Sequence, residues 1–333
     1  MLLASSFYAS VARERRRWYA RRPDWRRRLE RPVVSVGSVT VGGSGKTPVA
    51  ALVARLLQVA GHRPAVLTRG YARAVPSGGV TVVSDGRQVI AELDHAGDEP
   101  LVLARQLPGV PVLVASDRYL AGRLAETRLG CTIHVLDDGF QHFELERDVD
   151  LVLLSPEDVE RPVTLPFGRL REPIDVVRAA SAIIVGEADE VQAARMGQSV
   201  GVRDVFRLVR ALDRPRRPEA LAGSIEPATG TRVVAVAGIA RPQQFFSALE
   251  AEGWTLVGRL AFADHHRFTD ADMTDIAAAT RAAQAELVLT TEKDIVRMEP
   301  LGELPMPIAW VPMRVSIEPV EEFEAWLLER LRT

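Results

Sequence analysis

Lysine is almost missing from this chain. Of 42 basic residues all but two are arginine, and the two are Lys46 and Lys293. Cysteine is scarcer still. Cys131 stands alone, which excludes an intrachain disulfide and a Cys-based zinc site and fits a reducing compartment. We expect it to pack at the start of a buried strand. No run reaches the ~18 apolar residues of a spanning helix. The segment from Met1 to Ala12 is apolar, but arginines follow it, the wrong order for a secretory signal. The net charge of −2 argues against nucleic acid as a partner.

What is present explains where lysine survives. Lys46 closes Thr40-Val41-Gly42-Gly43-Ser44-Gly45-Lys46-Thr47. Where arginine is the default cation, a lysine here implies a site that needs a compact three-donor ammonium. A phosphate-cradling loop is such a site. Its backbone N–H groups wrap the phosphates, the lysine reaches the β- and γ-phosphates, and the Thr hydroxyl binds Mg²⁺. The usual pattern starts with glycine and this one starts with Thr40. Gly42 and Gly43 can supply the lost backbone freedom. Strand, loop and helix follow in the order the motif requires, so the loop implies nucleotide binding without naming a reaction.

Charge is unevenly distributed. Residues 1–32 hold ten Arg against Glu14, Asp24 and Glu30, a local charge of +7 that leaves the remainder near −9. Leu3, Phe7, Val11 and Trp18 share one helical face inside a collar of arginines. This suits a basic amphipathic helix lying in an anionic membrane surface over residues 1–30. The competing reading is a helix docked on its own domain.

The remaining pattern is α/β. Val33–Val39 reads as a strand, then the loop, then a helix over Pro48–Ala60. Strands at Ala65–Thr68, Val112–Ala115, Thr132–Leu136, Leu151–Leu154, Ala182–Val185 and Phe206–Val209 alternate with helices at Glu99–Gln106 and Asp117–Leu129. Val80–Ser84 and Gln88–Ala91 read as a hairpin around Asp85-Gly86. After a Pro- and Arg-rich connector at Asp213–Pro218, strands at Val233–Ala237, Leu256–Ala261 and Leu287–Thr290 alternate with helices at Pro242–Glu252 and Asp270–Ala283. A closing helix is expected over Glu318–Arg332. Strands alternating with helices imply a mostly parallel sheet. The expected division is a nucleotide-binding domain at 31–210 and a smaller α/β domain at 211–333.

Three further constellations carry chemistry. In Ile133-His134-Val135-Leu136-Asp137-Asp138-Gly139-Phe140-Gln141-His142, a strand ends in two carboxylates that can face Mg²⁺ or its waters. Adjacent residues diverge along a strand, so a turn at Gly139 is needed to bring both to one site; two acids capping a loop is the alternative. In Gly97-Asp98-Glu99-Pro100, spacing favours Asp98 as a helix cap, with a general base as the rival role. In Phe262-Ala263-Asp264-His265-His266-Arg267-Phe268, two histidines adjoin, with no soft ligands at zinc-site spacing.

Taken together, TVGGSGKTP, RGYAR, GDEP, LDDGFQH, FGRLREP, FADHHRF and TEKD resemble, in order, the tetraacyldisaccharide 4′-kinase (lipid A 4′-kinase) family from about residue 30 to 295. The resemblance implies two α/β/α domains, the first a P-loop kinase-like parallel sheet and the second a smaller Rossmann-like domain, joined by a β-ribbon linker. It implies transfer of the γ-phosphate of ATP to the 4′-hydroxyl of tetraacyldisaccharide 1-phosphate, giving lipid IVA, by a monomer at the cytoplasmic face of the bacterial inner membrane. Carried over by motif, Lys46 holds the β- and γ-phosphates, and Thr47, Asp137 and Glu172 serve the metal. Asp138 organises the phosphate region, and Gln141, His142 and Arg171 line the cleft. Asp98 activates the hydroxyl with His265, the first histidine after Asp264, as its partner.

Two other classes share the loop. A metal-insertion GTPase would recognise guanine with a Lys followed two residues later by Asp, whereas Lys293 and Asp294 are adjacent. A non-catalytic nucleotide-binding module has no need of Asp98, the aspartate pair and His265.

Overall fold

The computed structural model describes residues 2–43, 45–71, 73–75, 78–217, 230–302 and 305–332. Its contacts divide the chain into two compact units, residues 1–96, 103–209 and 315–333 in one, 97–102 and 210–314 in the other.

In the first unit the elements run α1 (Leu2–Ala20), β1 (Val33–Ser38), α2 (Lys46–Val59), β2 (Pro64–Thr68), β3 (Thr81–Asp85), α3 (Leu93–Ala96), α4 (Asp98–Gln106), β4 (Pro111–Val114), α5 (Arg118–Leu129), β5 (Ile133–Asp137), β6 (Val149–Leu154), α6 (Pro156–Glu160), β7 (Ala182–Gly186), α7 (Glu190–Val200) and β8 (Val205–Leu212). The first turn of α4 is counted with the second unit. The second unit continues with β9 (Arg232–Ala237), α8 (Pro242–Ala251), β10 (Thr255–Ala261), α9 (Asp270–Ala282), β11 (Leu287–Thr291), α10 (Glu292–Met298) and β12 (Ile308–Val311). β13 (Met313–Glu318) and α11 (Val320–Arg330) return to the first.

Among the described residues the first unit carries a nine-stranded sheet in the order β13-β8-β7-β6-β1-β5-β2-β4-β3. The pairs from β8 through β4 are parallel, and β3 runs antiparallel to its neighbour β4. β1 is buried along its whole length, as expected for a central parallel strand covered on both faces. Two apolar clusters fill the space beside the sheet, one around Phe140, Val152, Ile183 and Met196, the other around Leu67, Leu113, Ala121 and Leu136. Helix ends are set locally. Asp117 caps α5 by accepting from the N–H groups of Tyr119 and Leu120, and Gly130 ends it in a left-handed conformation.

Among the described residues the second unit has a four-stranded, all-parallel sheet in the order β10-β9-β11-β12. Its core joins Val233, Ala235, Phe246, Leu249 and Leu289. β9 has β10 on one side and β11 on the other. The carboxyl ends of these three strands therefore flank a topological switch point, where open α/β sheets place polar sites.

Several expectations need correction. The hairpin around Asp85-Gly86 is only a turn, with a single bridge from Ser84 to Val89, and β3 pairs with β4 instead. α7, β12 and β13 had no sequence reading. The closing helix, expected in the 211–333 domain, groups with the first unit, and Gly97–Val102, expected in the 31–210 domain, groups with the second. Residues 213–217 of the connector bridge back toward β12, with reciprocal Arg216 and Trp310 backbone bonds at 2.8 Å; Pro218 lies outside the described residues. Cys131 is buried just ahead of β5, and burial pushes its thiol up to about 11.

Candidate active site

Register builds the first site. β1 and β5 are adjacent and parallel, with Val36 opposite Asp137. The segment leaving β1 and the carboxylates ending β5 therefore emerge at the same sheet edge. The FGRLREP segment pins that exit. Arg171 N–H donates to Val39 O at 2.6 Å, and Val41 N–H donates to Arg169 O at 2.9 Å, while buried Thr40 bridges Leu170. The glycine freedom expected of the loop is used at Gly42 and Gly45, with φ of +92° and +86°. Gly43 lies between them, and Ser44 lies outside the described residues. α2 starts at Lys46, two residues earlier than Pro48 suggested, and no side chain caps it. Its first N–H groups and positive dipole end are thus suited to phosphate oxygens.

The charged groups then order themselves around Lys46. Its Nζ lies 3.4 Å from Ser38 Oγ and 3.8 Å from Asp138 Oδ1. Thr47 Oγ1 donates to Asp137 Oδ2 at 3.2 Å, and Thr68 Oγ1 donates to the same oxygen at 3.4 Å. The strand ends at Asp137, and Asp138 takes a left-handed φ of +57°, which aspartate tolerates better than most residues. That turn lets both carboxylates face the loop. A Cβ on Gly139 would meet Ser35 Oγ at 2.6 Å, so only glycine fits the turn. Arg171 grips Asp138 with two nitrogens, at 2.8 and 2.6 Å, and donates to Ser38 O at 2.9 Å. Gln141 Nε2 donates to that carbonyl at 3.0 Å. Burial raises the Asp138 carboxyl, but the bond from Arg171 and the charges of Lys46, Arg171 and Arg118 outweigh it and hold the group below its ordinary value.

His142 is half-buried, and burial with the nearby Arg118 and Arg147 charges brings it down to about 3. It is neutral at every working pH, able to offer a hydrogen bond but not a charge. Glu172 departs from its expected role. It is buried and accepts from Arg16 Nε and Nη2, at 2.7 and 2.8 Å. Its negative charge is matched by α1 rather than directed at Thr47 and Asp137. Among the described residues no three His, Cys, Asp or Glu side chains converge as a self-sufficient metal cage. Thr47 and Asp137 do offer paired hard oxygens beside the loop. That donor set fits Mg²⁺, which takes one or two protein oxygens and completes its shell with phosphates and water.

A second cluster lies in the second unit, at its switch point. Asp98 is the first residue of α4, and His265 follows β10 with a left-handed φ of +58°. His265 Nδ1 and Asp98 Oδ2 are 3.0 Å apart, although the two residues are 167 positions apart in sequence. Asp98 Oδ1 accepts the Glu99 N–H at 2.9 Å. His266 instead meets Asp272, at 3.1 Å. The bond to Asp98 raises His265 against the opposing effect of burial. Burial pushes Asp98 up, but His265, Arg297 and Lys293 together hold it low.

A family model described as tetraacyldisaccharide-1-P 4′-kinase, LpxK, matches residues 1–332. The chain belongs to the tetraacyldisaccharide 4′-kinase family. A tetraacyldisaccharide 4′-kinase of Syntrophus aciditrophicus is 38% identical over 323 residues, covering 92% of this chain and 85% of that protein. One of Geobacter sulfurreducens is 39% identical over 310 residues, covering 90% and 83%. The fold is similar to a crystal structure of the "apo" form of LpxK from Aquifex aeolicus in complex with ATP. The TM-score is 0.80 at 28% identity, with 99% of this chain and 98% of that one covered.

Within this tetraacyldisaccharide 4′-kinase family chain, the groups beneath Asp98 are those the sequence reading missed. Arg297, Asp294, Glu99 and the Lys293 of TEKD surround it, with Lys293 paired to Glu99. Lys293 stood out as the second of two lysines, a signal that could have found the cluster. Arg297 had none, being one arginine among many.

Proposed function

We propose that this chain is an ATP-dependent kinase that phosphorylates the 4′-hydroxyl of tetraacyldisaccharide 1-phosphate, forming lipid IVA for lipid A biosynthesis. The observation that carries the assignment is the meeting of Lys46, Thr47, Asp137, Asp138 and Arg171 at the shared edge of β1 and β5. Family membership favours it over a GTPase or a non-catalytic module.

In this reading the glycine loop and the start of α2 hold the β- and γ-phosphates of ATP, and Lys46 offsets the charge on the transferred group. Thr47 and the Asp137 region would hold Mg²⁺, which would supply neutralisation of phosphate charge. Asp138 fixes Arg171, whose planar guanidinium can turn a donor toward phosphate oxygens. Gln141 and neutral His142 line the same edge as hydrogen-bonding groups. Asp98 takes the proton of the 4′-hydroxyl as the new O–P bond forms and the bond from the γ-phosphorus to the leaving ADP oxygen breaks, while His265 Nδ1, hydrogen-bonded to the carboxylate, orients it. The purified chain, given [γ-³²P]ATP, Mg²⁺ and the disaccharide 1-phosphate, should yield a labelled bisphosphorylated product. A product carrying no 4′-phosphate would refute the assignment.

The lipid substrate gives α1 a purpose. No helix of the described residues is long and apolar enough to cross a membrane. One side of α1 docks: Ser5 exchanges bonds with Thr164 at 2.9 and 2.8 Å, and Arg16 holds Glu172. On the opposite side Phe7 and Val11 are 73% and 54% exposed; the Leu3 side chain lies outside the described residues. The two readings of the sequence are therefore compatible on different faces. We assign the outward face, with its arginines, to an anionic lipid surface at the cytoplasmic side of the inner membrane. Replacing Phe7 and Val11 by serine leaves the docked side intact. It should weaken binding to phosphatidylglycerol vesicles by about tenfold or more, since each buried apolar side chain contributes about 1.5–3 kcal/mol. Unchanged binding would leave α1 a docked helix only.

A further inference from the structure

Arg297 has no role in the assignment above, yet it is one of the most enclosed charges in the second unit. Its side chain is 4% exposed, as is that of Asp98. Nε lies 3.2 Å from Asp98 Oδ2 and donates to Lys293 O at 3.1 Å. Nη1 donates to Gly238 O and to His266 O, both at 3.1 Å. Nη2 lies 3.5 Å from Asp294 Oδ1. The guanidinium is thus tied to three backbone carbonyls, from the residue after β9, the β10–α9 loop and α10. A cation fixed this way cannot swing out to solvent, and its charge stays beside Asp98.

Those carbonyls also belong to the partner of Asp98. Gly238 O accepts the His265 N–H at 3.2 Å as well as Arg297 Nη1, and His266 adjoins His265 in the chain. Gly238 N–H in turn donates to both oxygens of fully buried Asp294, at 3.1 Å. A Cβ on Gly238 would lie 3.0 Å from Asp294 Oδ1, so a larger residue there would press on the Asp294 carboxylate. One arginine therefore braces the loop that holds His265 in a left-handed conformation and sets the charge felt by Asp98.

We infer that Arg297 is the positioning residue of the Asp98–His265 pair, keeping Asp98 ionised and His265 within hydrogen-bond reach of it. The inference rests on the reading of Asp98 as the base. The other charged groups around the pair are Glu99 from α4, Asp264 and His266 from the loop after β10, and Lys293 and Asp294 from α10. Lys293 is paired with Glu99, and His266 with Asp272. Asp294 is shared among Gly238, Thr291 and Arg297. Arg297 is the group whose removal leaves Asp98 and Asp294 as two buried carboxylates with one cation fewer.

The sign of the effect follows. The pair is active with Asp98 ionised and His265 neutral, because an imidazolium cannot accept the shared proton. The acid limb of activity therefore reports the upper apparent pKa of the pair. Removing a neighbouring cation raises the proton affinity of both members and moves that limb to higher pH, by about 1 unit or more.

The test uses the full chain with ATP and disaccharide 1-phosphate from pH 5.5 to 9. Arg297→Gln should move the acid limb upward and lower kcat at neutral pH, with KM for ATP little changed. Arg297→Lys keeps the charge but loses the three-carbonyl brace. It should leave the limb in place and lower kcat by about fivefold or more. A folded Arg297→Gln variant with an unmoved limb would overturn the inference. If the Gln variant does not fold, the Lys variant decides: wild-type kcat overturns the inference, and reduced kcat with an unmoved limb supports it. Asp98→Asn separates the two readings. If it retains wild-type turnover, the assignment of Asp98 as base has failed. If it is inactive while Arg297→Gln behaves as wild type, only the role of Arg297 has failed.

Discussion

The two charged clusters use the same residue types and differ in how much of their charge is already matched. Around Lys46, three cations, Lys46, Arg171 and Arg118, face two carboxylates, Asp137 and Asp138. Arg118 is buried, and burial with the nearby Arg69 charge brings it down to about 10, still a cation at neutral pH. Around Asp98, the carboxylates of Asp98, Asp294 and Glu99 face Arg297 and Lys293, and His265 closes the set. The first cluster has an excess of positive charge on an open edge, as a polyphosphate requires. The second is enclosed and nearly balanced; burial raises its Asp294 carboxyl, and the bond to Asp98 raises His265. Binding an anion and moving a proton need opposite arrangements, and the proposed function assigns one to each unit.

The comparison breaks most visibly at the enclosed cluster. Asp98→Ala and His265→Ala should each lower kcat by roughly 10²–10⁴, the usual contribution of a positioned base, and should raise KM for ATP far less. The double variant should cost about as much as the worse single one, since groups acting as a unit are non-additive. Multiplied losses would show that the two act separately. Asp98 as a structural residue of α4 predicts a stability loss of roughly 0.5–2 kcal/mol with turnover kept. The pH dependences should also run in opposite directions. His265 is raised in the folded state, so its contribution to stability is complete below about pH 6.5. That contribution is lost as pH rises through the folded value. Activity should climb over that same interval as the imidazole becomes neutral. Thermal melts and kcat measured on the same pH series would expose any parallel rise, which this account forbids.

At the open cluster, Lys46→Ala should lower kcat on the order of 10²–10³ while the melting temperature stays within a few degrees. Removing one of three cations relieves repulsion rather than orphaning a partner, because Asp138 keeps both bonds from Arg171. Lys46→Arg should not restore the rate, as a planar fork cannot replace a point ammonium inside a tight loop. Wild-type turnover in either variant would remove Lys46 from the phosphate site.

How far these clusters could be read from sequence depends on contrast and on distance along the chain. Lys46 was legible because lysine is rare here and its neighbours are glycines. Arg297 was not, since arginine is this chain's default cation and one more carries no signal. The long buried strands were visible as apolar runs. β12 was missed as a four-residue segment, and β13 because much of its length is exposed. The placement of Asp98 and His265 in separate domains followed from their positions in the chain. It failed because Gly97–Val102 groups with the second unit, a pairing that no local pattern encodes.

Glu172 gives the smallest expected effect on rate. Its neighbour Arg171 reaches the phosphate edge, so motif adjacency drew Glu172 to the metal as well. Arg171 and Glu172 lie in a bend after Leu170, and Glu172 turns to Arg16 of α1, whose guanidinium also lies 4.3 Å from the centre of the Phe140 ring. Glu172→Gln should therefore cost about 1–3 kcal/mol of stability, as loss of a hydrogen bond to a charged partner does. It should leave kcat and the Mg²⁺ dependence of the folded enzyme near wild type. Arg16→Gln should lower the melting temperature by a similar amount, and the two together should cost little more than either alone. A metal role predicts the reverse: an unchanged melt and a Mg²⁺ requirement raised by roughly 10–100-fold. A magnesium titration beside a thermal melt decides between an anchor for α1 and a ligand for the metal.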